Sequence, residues 1–279
     1  MQRARGFVEL TRPGNAVASG ALTAIGAFVA SASTDQLPVV TAAVAATVFA
    51  VAGGNTINDY FDRDIDRIND PDRPIPSGRV SARGALAGSV VLFALATVCA
   101  LFLPTLALAI AAVNLLLLIA YTEFFKGTPG AGNALVAYLG GSTFLFGGAT
   151  VEHVPPTVVL ALLAAVSTLA REIIKDVEDV EGDREEGLRT LPVVIGERRA
   201  LLVALALLVV AAVASPLPYL LDMLGVAYLV VVAPAVALML YAGYEGFGDP
   251  AVAQGHLKYG MFLAILSFVV GRATLVVSV

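Results

Sequence analysis

This chain is short of charge. Of its 279 residues only 14% are Asp, Glu, Lys or Arg, while 58% are apolar and the mean hydropathy is +0.85. Soluble domains carry roughly 25% charged and about 45–50% apolar residues. The composition therefore excludes a soluble enzyme, a disordered chain and a nucleic-acid binder, and describes an integral membrane protein. Thiol and imidazole groups are scarcer still. The single cysteine, Cys99, lies inside an apolar run, which leaves no disulfide framework and no thiolate cluster. Two histidines, His153 and His256, are too few and too far apart in sequence for a histidine-rich metal site. The apolar runs also lack the period-2 alternation of β-barrel strands. No linker divides them, so residues 1–279 are expected to form a single membrane domain.

What the chain does have is long apolar segments. A bilayer core about 30 Å thick takes roughly 20 residues of helix. That rule predicts an all-α, polytopic bundle of nine membrane helices, at about 14–33, 37–60, 84–103, 105–122, 133–150, 155–181, 199–215, 217–243 and 257–278. Pro38, Pro104, Pro129, Pro155-Pro156, Pro216 and Pro218 punctuate them. Orientation follows from Lys and Arg. If Arg3, Arg5 and Arg12 lie inside, alternate connections hold Arg63, Arg67, Arg73, Arg79 and Arg83, then Lys126, then Arg171, Lys175, Arg184, Arg189, Arg198 and Arg199, then Lys258. All 17 basic residues except Arg272 thus fall on one side, which the positive-inside rule makes cytoplasmic. The outer connections hold Asp35 and Glu152. Ala30-Ser31-Ala32 imitates a leader cleavage site, but the length of the first segment and its Asn15, Gly20 and Gly26 favour a retained helix.

Acidic residues gather in two places on the cytoplasmic side. The first reads Asn-Thr-Ile-Asn-Asp-Tyr-Phe-Asp-Arg-Asp-Ile-Asp from Asn55 to Asp66. Asn58, Asp62 and Asp66 stand four apart and, on a helix continuing through them, form one stripe. The second, Arg-Glu-Ile-Ile-Lys-Asp-Val-Glu-Asp-Val-Glu-Gly-Asp, runs from Arg171 to Asp183. It repeats the spacing at Asp179 and Asp183, with Asp176 one turn earlier. Like charges at this spacing repel unless a cation lies between them. Mg²⁺ takes carboxylate oxygens, keeps several waters and commonly shares substrate phosphates. Two such stripes on one side of a membrane point to ions held between them and a diphosphate. Arg67, Arg73, Lys126 and Lys175 lie on that side to bind the remaining phosphate oxygens. Mixed-charge runs are usually solvated loops. Two of them at matching positions, each beginning inside an apolar segment, argue for function instead.

Other residues carry plainer expectations. Asn15, Asn114 and Asn133 read as hydrogen-bonding groups between helices. Tyr121, ahead of Lys126, reads as either a pocket wall or an interface anchor. Arg272 is expected to snorkel outward without a function. Gly140-Gly141 and Gly147-Gly148 read as sites of close helix packing.

With these residues in view, the sequence resembles the UbiA-type intramembrane prenyltransferase superfamily. Asn58, Asp59, Asp62 and Asp66 match its Asn-Asp-x-x-Asp-x-x-x-Asp motif, followed by Arg73-Pro74 and Ser77-Gly78. Asp179 and Asp183 match its Asp-x-x-x-Asp motif, followed by Gly187, Thr190 and Leu191. The resemblance implies Mg²⁺ held by Asn58, Asp59, Asp62, Asp66, Asp176, Asp179 and Asp183, with Asn58, Asp62, Asp66, Asp179 and Asp183 central to catalysis. It implies a polyprenyl diphosphate donor that ionises at C1, and an acceptor that attacks the resulting allylic cation. Arg12, Arg67, Arg73, Tyr121, Lys126, Arg171 and Lys175 would bind the diphosphate or the acceptor.

The stretch Arg171–Asp183 looks most like that of archaeal digeranylgeranylglyceryl phosphate synthases, which implies geranylgeranyl diphosphate and geranylgeranylglyceryl phosphate as partners and ether lipid as product. Lys175-Asp176 stands where the 4-hydroxybenzoate prenyltransferases have Tyr-Asp. Quinone, tocopherol and chlorophyll pathway members also use a Lys-Asp or Arg-Asp start, so an aromatic acceptor stays open. The Asp-x-x-Asp-Gly-x-x-Ala-Arg string of CDP-alcohol phosphatidyltransferases is absent. A cation transporter would carry its ionisable groups nearer the bilayer midplane. A glycerol phosphate head would also explain basic residues beyond those one diphosphate needs, among them Arg79 and Arg189.

Overall fold

A computed structural model describes residues 2–125 and 127–277; the side chains of residues 2, 65, 69, 122, 123 and 277 are outside that description, and so is Lys126 altogether. The described residues form helices and turns and no strand. In order these are α1 (Gln2–Thr11), α2 (Pro13–Val29), α3 (Leu37–Phe61), α4 (Arg63–Asn69), α5 (Ala82–Ala100), α6 (Thr105–Ala120), α7 (Ala131–Thr150), α8 (Pro155–Glu178), α9 (Val180–Glu185), α10 (Leu191–Ile195), α11 (Glu197–Ala214), α12 (Leu217–Leu220), α13 (Ala227–Glu245) and α14 (Pro250–Val277).

Six stretches are long and apolar enough to cross a bilayer: Thr34–Phe61, Ala82–Ala100, Pro155–Glu178, Glu197–Leu220, Ala227–Glu245 and Pro250–Val276. α2 and α6 are apolar but shorter. α7 is long but carries Gly, Asn, Ser and Thr along its length, and most of it is buried among its neighbours. It is the centre of the bundle, packed against α2, α3, α6 and α8. A helix shielded from lipid on most sides has no need of a fully apolar surface.

Small residues make that central packing possible. A Cβ added to Gly147 would stand 2.2 Å from the Thr23 carbonyl oxygen of α2, and one on Gly26 of α2 would stand 2.5 Å from the Phe144 carbonyl oxygen of α7. Backbone meets backbone there, so nothing can swing aside. Gly147→Ala is expected to destabilise the bundle by at least about 1–3 kcal/mol, the usual range for over-packing. Gly140→Ala, whose added Cβ meets Thr168 at an ordinary 3.6 Å, is the matched control. Thermal unfolding in detergent reads the difference, and equal midpoints for the two variants would refute the packing argument.

Several expected boundaries move, each for a local reason. α1 precedes the first expected span: Leu10 on it is buried with Ile75, Val80 and Ala85. Arg79 fixes the same helix by donating to Glu9 at 2.5 Å. Pro13 disfavours α-helical backbone at the residue before it, and Arg12 turns instead through the left-handed region (φ 45°, ψ 64°). The expected span 217–243 is broken, because Pro216 and Pro218 confine α12 to one turn and Asp222 is left-handed (φ 55°). α13 starts only at Ala227. The last helix starts at Pro250 rather than near 257: proline fits a first helical turn, and Asp249 Oδ1 accepts from the Val252 amide at 3.1 Å.

Candidate active site

Each acidic motif straddles a break in a helix. α3 ends at Phe61 and α4 begins at Arg63, with Asp62 capping both (φ −77°, ψ −3°). α8 ends at Glu178 and α9 begins at Val180, with Asp179 capping both (φ −87°, ψ 3°). The sequence pattern predicts each stripe on a continuous helix. Instead each helix yields at the middle aspartate, where clustered carboxylates repel and aspartate competes for the backbone. The parallel extends to the flanks: Asp59, Asp62 and Asp66 have the same three- and four-residue spacing as Asp176, Asp179 and Asp183.

The outer members of each triplet are held by specific donors. Asp59 is 5% exposed and takes the Arg12 guanidinium at 2.7 Å, with Arg73 at 3.8 Å. Asp66, 7% exposed, takes Arg73 at 3.0 Å, and Arg73 also reaches Asp70 at 3.2 Å. Buried carboxylates need such partners. In the second triplet the donors are neutral or single: Asn133 of α7 donates to Asp176 at 2.8 Å, and Thr190 donates to Asp183 at 2.8 Å. Lys175 lies 3.6 Å from Asp179. Burial pushes the Asp183 carboxyl up; the Thr190 hydrogen bond opposes this, Asp179 adds to it, and Lys175 again opposes it. The second triplet is thus poorly compensated, which favours an added cation.

Tyr121 joins the two motifs. It opens a π-helical turn, Tyr121–Phe125, at the end of α6. The carboxylates of Glu172, Asp176 and Asp62 all act electrostatically on its hydroxyl. It lies near both motifs, with its ring beside Gly132 of α7. The loop after α9 closes the same side, where the Arg189 amide donates to the Gly127 carbonyl at 3.0 Å and Leu188 packs on Gly127. Lys126, next to Gly127, lies outside the described residues.

Other expected ligands lie further from these contacts. Arg67 pairs with Asp64 at 2.9 Å on the exposed side of α4. Arg171 lies between Glu172 (2.8 Å) and Gln254 of α14 (3.0 Å), with its Nε buried and without a partner. Arg79 is engaged by Glu9 and the Asp72 carbonyl. Of the asparagines, Asn114 bonds Ser142 across helices at 2.9 Å, while Asn15 lies exposed at the start of α2. Arg272 donates to Ser31 at 2.5 Å. The supporting roles of Asn133 and Gln254 depend on pairings between distant segments, whereas Glu172 and Thr190 lie in or just after the second motif itself.

Among the described residues no three acidic, histidine or cysteine side chains converge as a ready-made metal cage. The donor set is nonetheless all hard oxygen. Mg²⁺ is usually bound by one or two carboxylates together with waters and phosphates rather than by a closed cage, so these residues fit it.

Residues 19–266 match the UbiA prenyltransferase family. The chain is 61% identical over 277 residues to the digeranylgeranylglyceryl phosphate synthase of Natronomonas pharaonis, covering 99% of this chain and 100% of that one. It is 36% identical to a solved structure of a digeranylgeranylglyceryl phosphate synthase, with a TM-score of 0.83 over 98% of this chain and 99% of that one. A UbiA homologue from Archaeoglobus fulgidus, solved with DMAPP and Mg²⁺, has the same fold at 22% identity, with a TM-score of 0.72 over 96% and 98% of the two chains. Paired aspartate motifs at the same end of an apolar helical bundle, together with these likenesses, make the chain a member of the UbiA prenyltransferase family.

Proposed function

We propose that this protein transfers the geranylgeranyl group of geranylgeranyl diphosphate to the free hydroxyl of geranylgeranylglyceryl phosphate, releasing diphosphate, as a step of archaeal ether-lipid synthesis. The observation that carries this reading is the pair of aspartate triplets, Asp59-Asp62-Asp66 and Asp176-Asp179-Asp183, each astride a helix break. Its support from outside is the 61% identity to a synthase of that name along the whole chain.

Asp62 and Asp179, backed by Asn58, Asp66 and Asp183, would hold Mg²⁺, which when bound neutralises the departing diphosphate and lowers the barrier to C1–O cleavage. Arg12 and Arg73 bind the remaining phosphate oxygens with Lys126, Arg67 and Lys175. Asp59, itself counted among the metal ligands, holds the first two arginines in place in the meantime. Asp176, fixed by Asn133, completes the second triplet. Tyr121 and the apolar helix ends keep water from the allylic carbon, so that the acceptor hydroxyl is the nucleophile that reaches it. Arg171 takes the acceptor's phosphate.

The chain is read as one domain with nine crossings: the six long stretches plus α2, α6 and α7. The distribution of basic residues supports a cytoplasmic orientation for both motifs.

Incubating the purified protein and Mg²⁺ with labelled geranylgeranyl diphosphate and a panel of acceptors, followed by mass analysis, tests the reading. Alkylation of the glycerol lipid is expected. Prenylation of 4-hydroxybenzoate or a naphthoate, with the glycerol lipid untouched, would overturn the acceptor assignment.

A further inference from the structure

Arg12 reaches Asp59 from an unusual backbone. A residue other than glycine rarely turns through the left-handed region, and it stays there only where its surroundings hold it. One of the two holds comes from the chain itself. Pro13 has no amide to give the Glu9 carbonyl, and the Arg12 amide takes that carbonyl instead at 3.1 Å. The turn then draws the Asn15 amide onto the Arg12 carbonyl at 2.9 Å. In a continuous helix the Asn15 amide would bond the Thr11 carbonyl, four residues back. The break between α1 and α2 thus deprives Thr11 of its helical donor, as the end of any helix does for its last carbonyls.

The second hold comes from α3, which supplies a replacement. Asn55, 8% exposed, donates Nδ2 to the Thr11 carbonyl at 3.1 Å. Four residues on, along the same face of α3, Asp59 takes the Arg12 guanidinium. One helix face therefore grips the residue at both ends: Asn55 fixes the backbone just before it, and Asp59 fixes the tip of its side chain. Between these grips the Arg12 side chain stays 46% exposed, open to an arriving anion. Asn55 itself stands outside the motif residues Asn58, Asp59, Asp62 and Asp66.

We propose that Asn55 is a positioning residue for the donor's head group: by holding the left-handed turn, it aims the Arg12 guanidinium at the diphosphate. An arginine on a loose joint would have to be ordered as the anion binds, and that ordering would weaken the contact. Here the ordering is complete beforehand. The inference rests on the reading of Arg12 as a diphosphate ligand given above.

The test is a double-mutant cycle read as the KM for geranylgeranyl diphosphate and the Ki of inorganic diphosphate. Arg12→Gln is expected to raise both roughly 10-fold, the loss of one charge-assisted contact to phosphate. Asn55→Ala is expected to raise both about 3-fold or more, with the acceptor KM unchanged. In the Arg12→Gln background Asn55→Ala should add nothing, because its effect passes through that one side chain. Ser89→Ala removes another buried hydrogen bond to α3, to the Gly53 carbonyl at 3.1 Å, and is expected to leave both constants alone. Should Asn55→Ala not fold, Pro13→Ala alters an exposed residue and loosens the same turn from the chain's side. It carries the same prediction: a rise with Arg12 present and none without it. A donor KM unmoved by Asn55→Ala, raised by the same factor with or without Arg12, or raised together with the acceptor KM overturns the proposal, since the bond would then only fasten α1 to α3. A donor KM unmoved by Arg12→Gln would instead defeat the diphosphate role on which the proposal rests.

Discussion

Asp62→Asn and Asp179→Asn are each expected to reduce Mg²⁺-dependent turnover by roughly 10²–10³-fold or more, the scale on which loss of one transition-state-stabilising group is felt. The helix breaks make these clean variants. Asn and Asp are equally good residues at the start of a helix, and Asn keeps the size of the side chain at a position that caps one helix and starts another. What changes is one charge on each triplet, so the bundle should stay folded. The measurement is product formation from labelled geranylgeranyl diphosphate across a Mg²⁺ titration, with thermal unfolding in detergent alongside. Near-wild-type rates at limiting Mg²⁺ for either variant would show that ions are not held between the two motifs. A loss of rate accompanied by loss of the folded protein would instead make the residue a structural hinge.

The second large effect is expected from Arg171→Gln, and it is selective. A glycerol phosphate head carries charge that the donor's own cations do not meet. Charge-assisted contacts to phosphate contribute about 1.5–3 kcal/mol each, so the KM for geranylgeranylglyceryl phosphate should rise roughly 10-fold or more. The KM for geranylgeranyl diphosphate should move far less. Arg171 is pinned by Glu172 and by Gln254 of α14. Arg171→Lys keeps the charge but not the two-sided grip, and its acceptor KM should fall between the other two. Both KM values rising together would mean that Arg171 only ties α8 to α14; neither rising would remove it from the site.

The sequence makes both aspartate motifs legible, because their spacing survives whatever the backbone does between them. Basic residues on one side and apolar runs of membrane length are legible for the same reason: they are properties of single segments. What is not legible depends on two segments meeting. The pairing of Asp59 with Arg12, for instance, joins α3 to a left-handed turn far away in the chain. Asn133 reads as a bridge between helices, and the partner it bridges to, Asp176 of α8, is visible only in the fold. The short run 217–220 and the late start of α13 were hidden because Asp222 and Gly225 are flanked on both sides by apolar residues, which keep the segment's average hydropathy high.

The matching triplets have one consequence for the length of the chain. α3 has 25 residues and α8 has 24, and each delivers its aspartates only after its last apolar turn. One residue inserted upstream in either helix would lift that triplet by about 1.5 Å and swing it about 100° around the axis. No side-chain adjustment recovers such a rotation. The two helices therefore work as a pair of rulers cut to a common mark. Lipid-facing side chains along them are free to drift so long as they stay apolar, whereas the residue count from bilayer to aspartate is not.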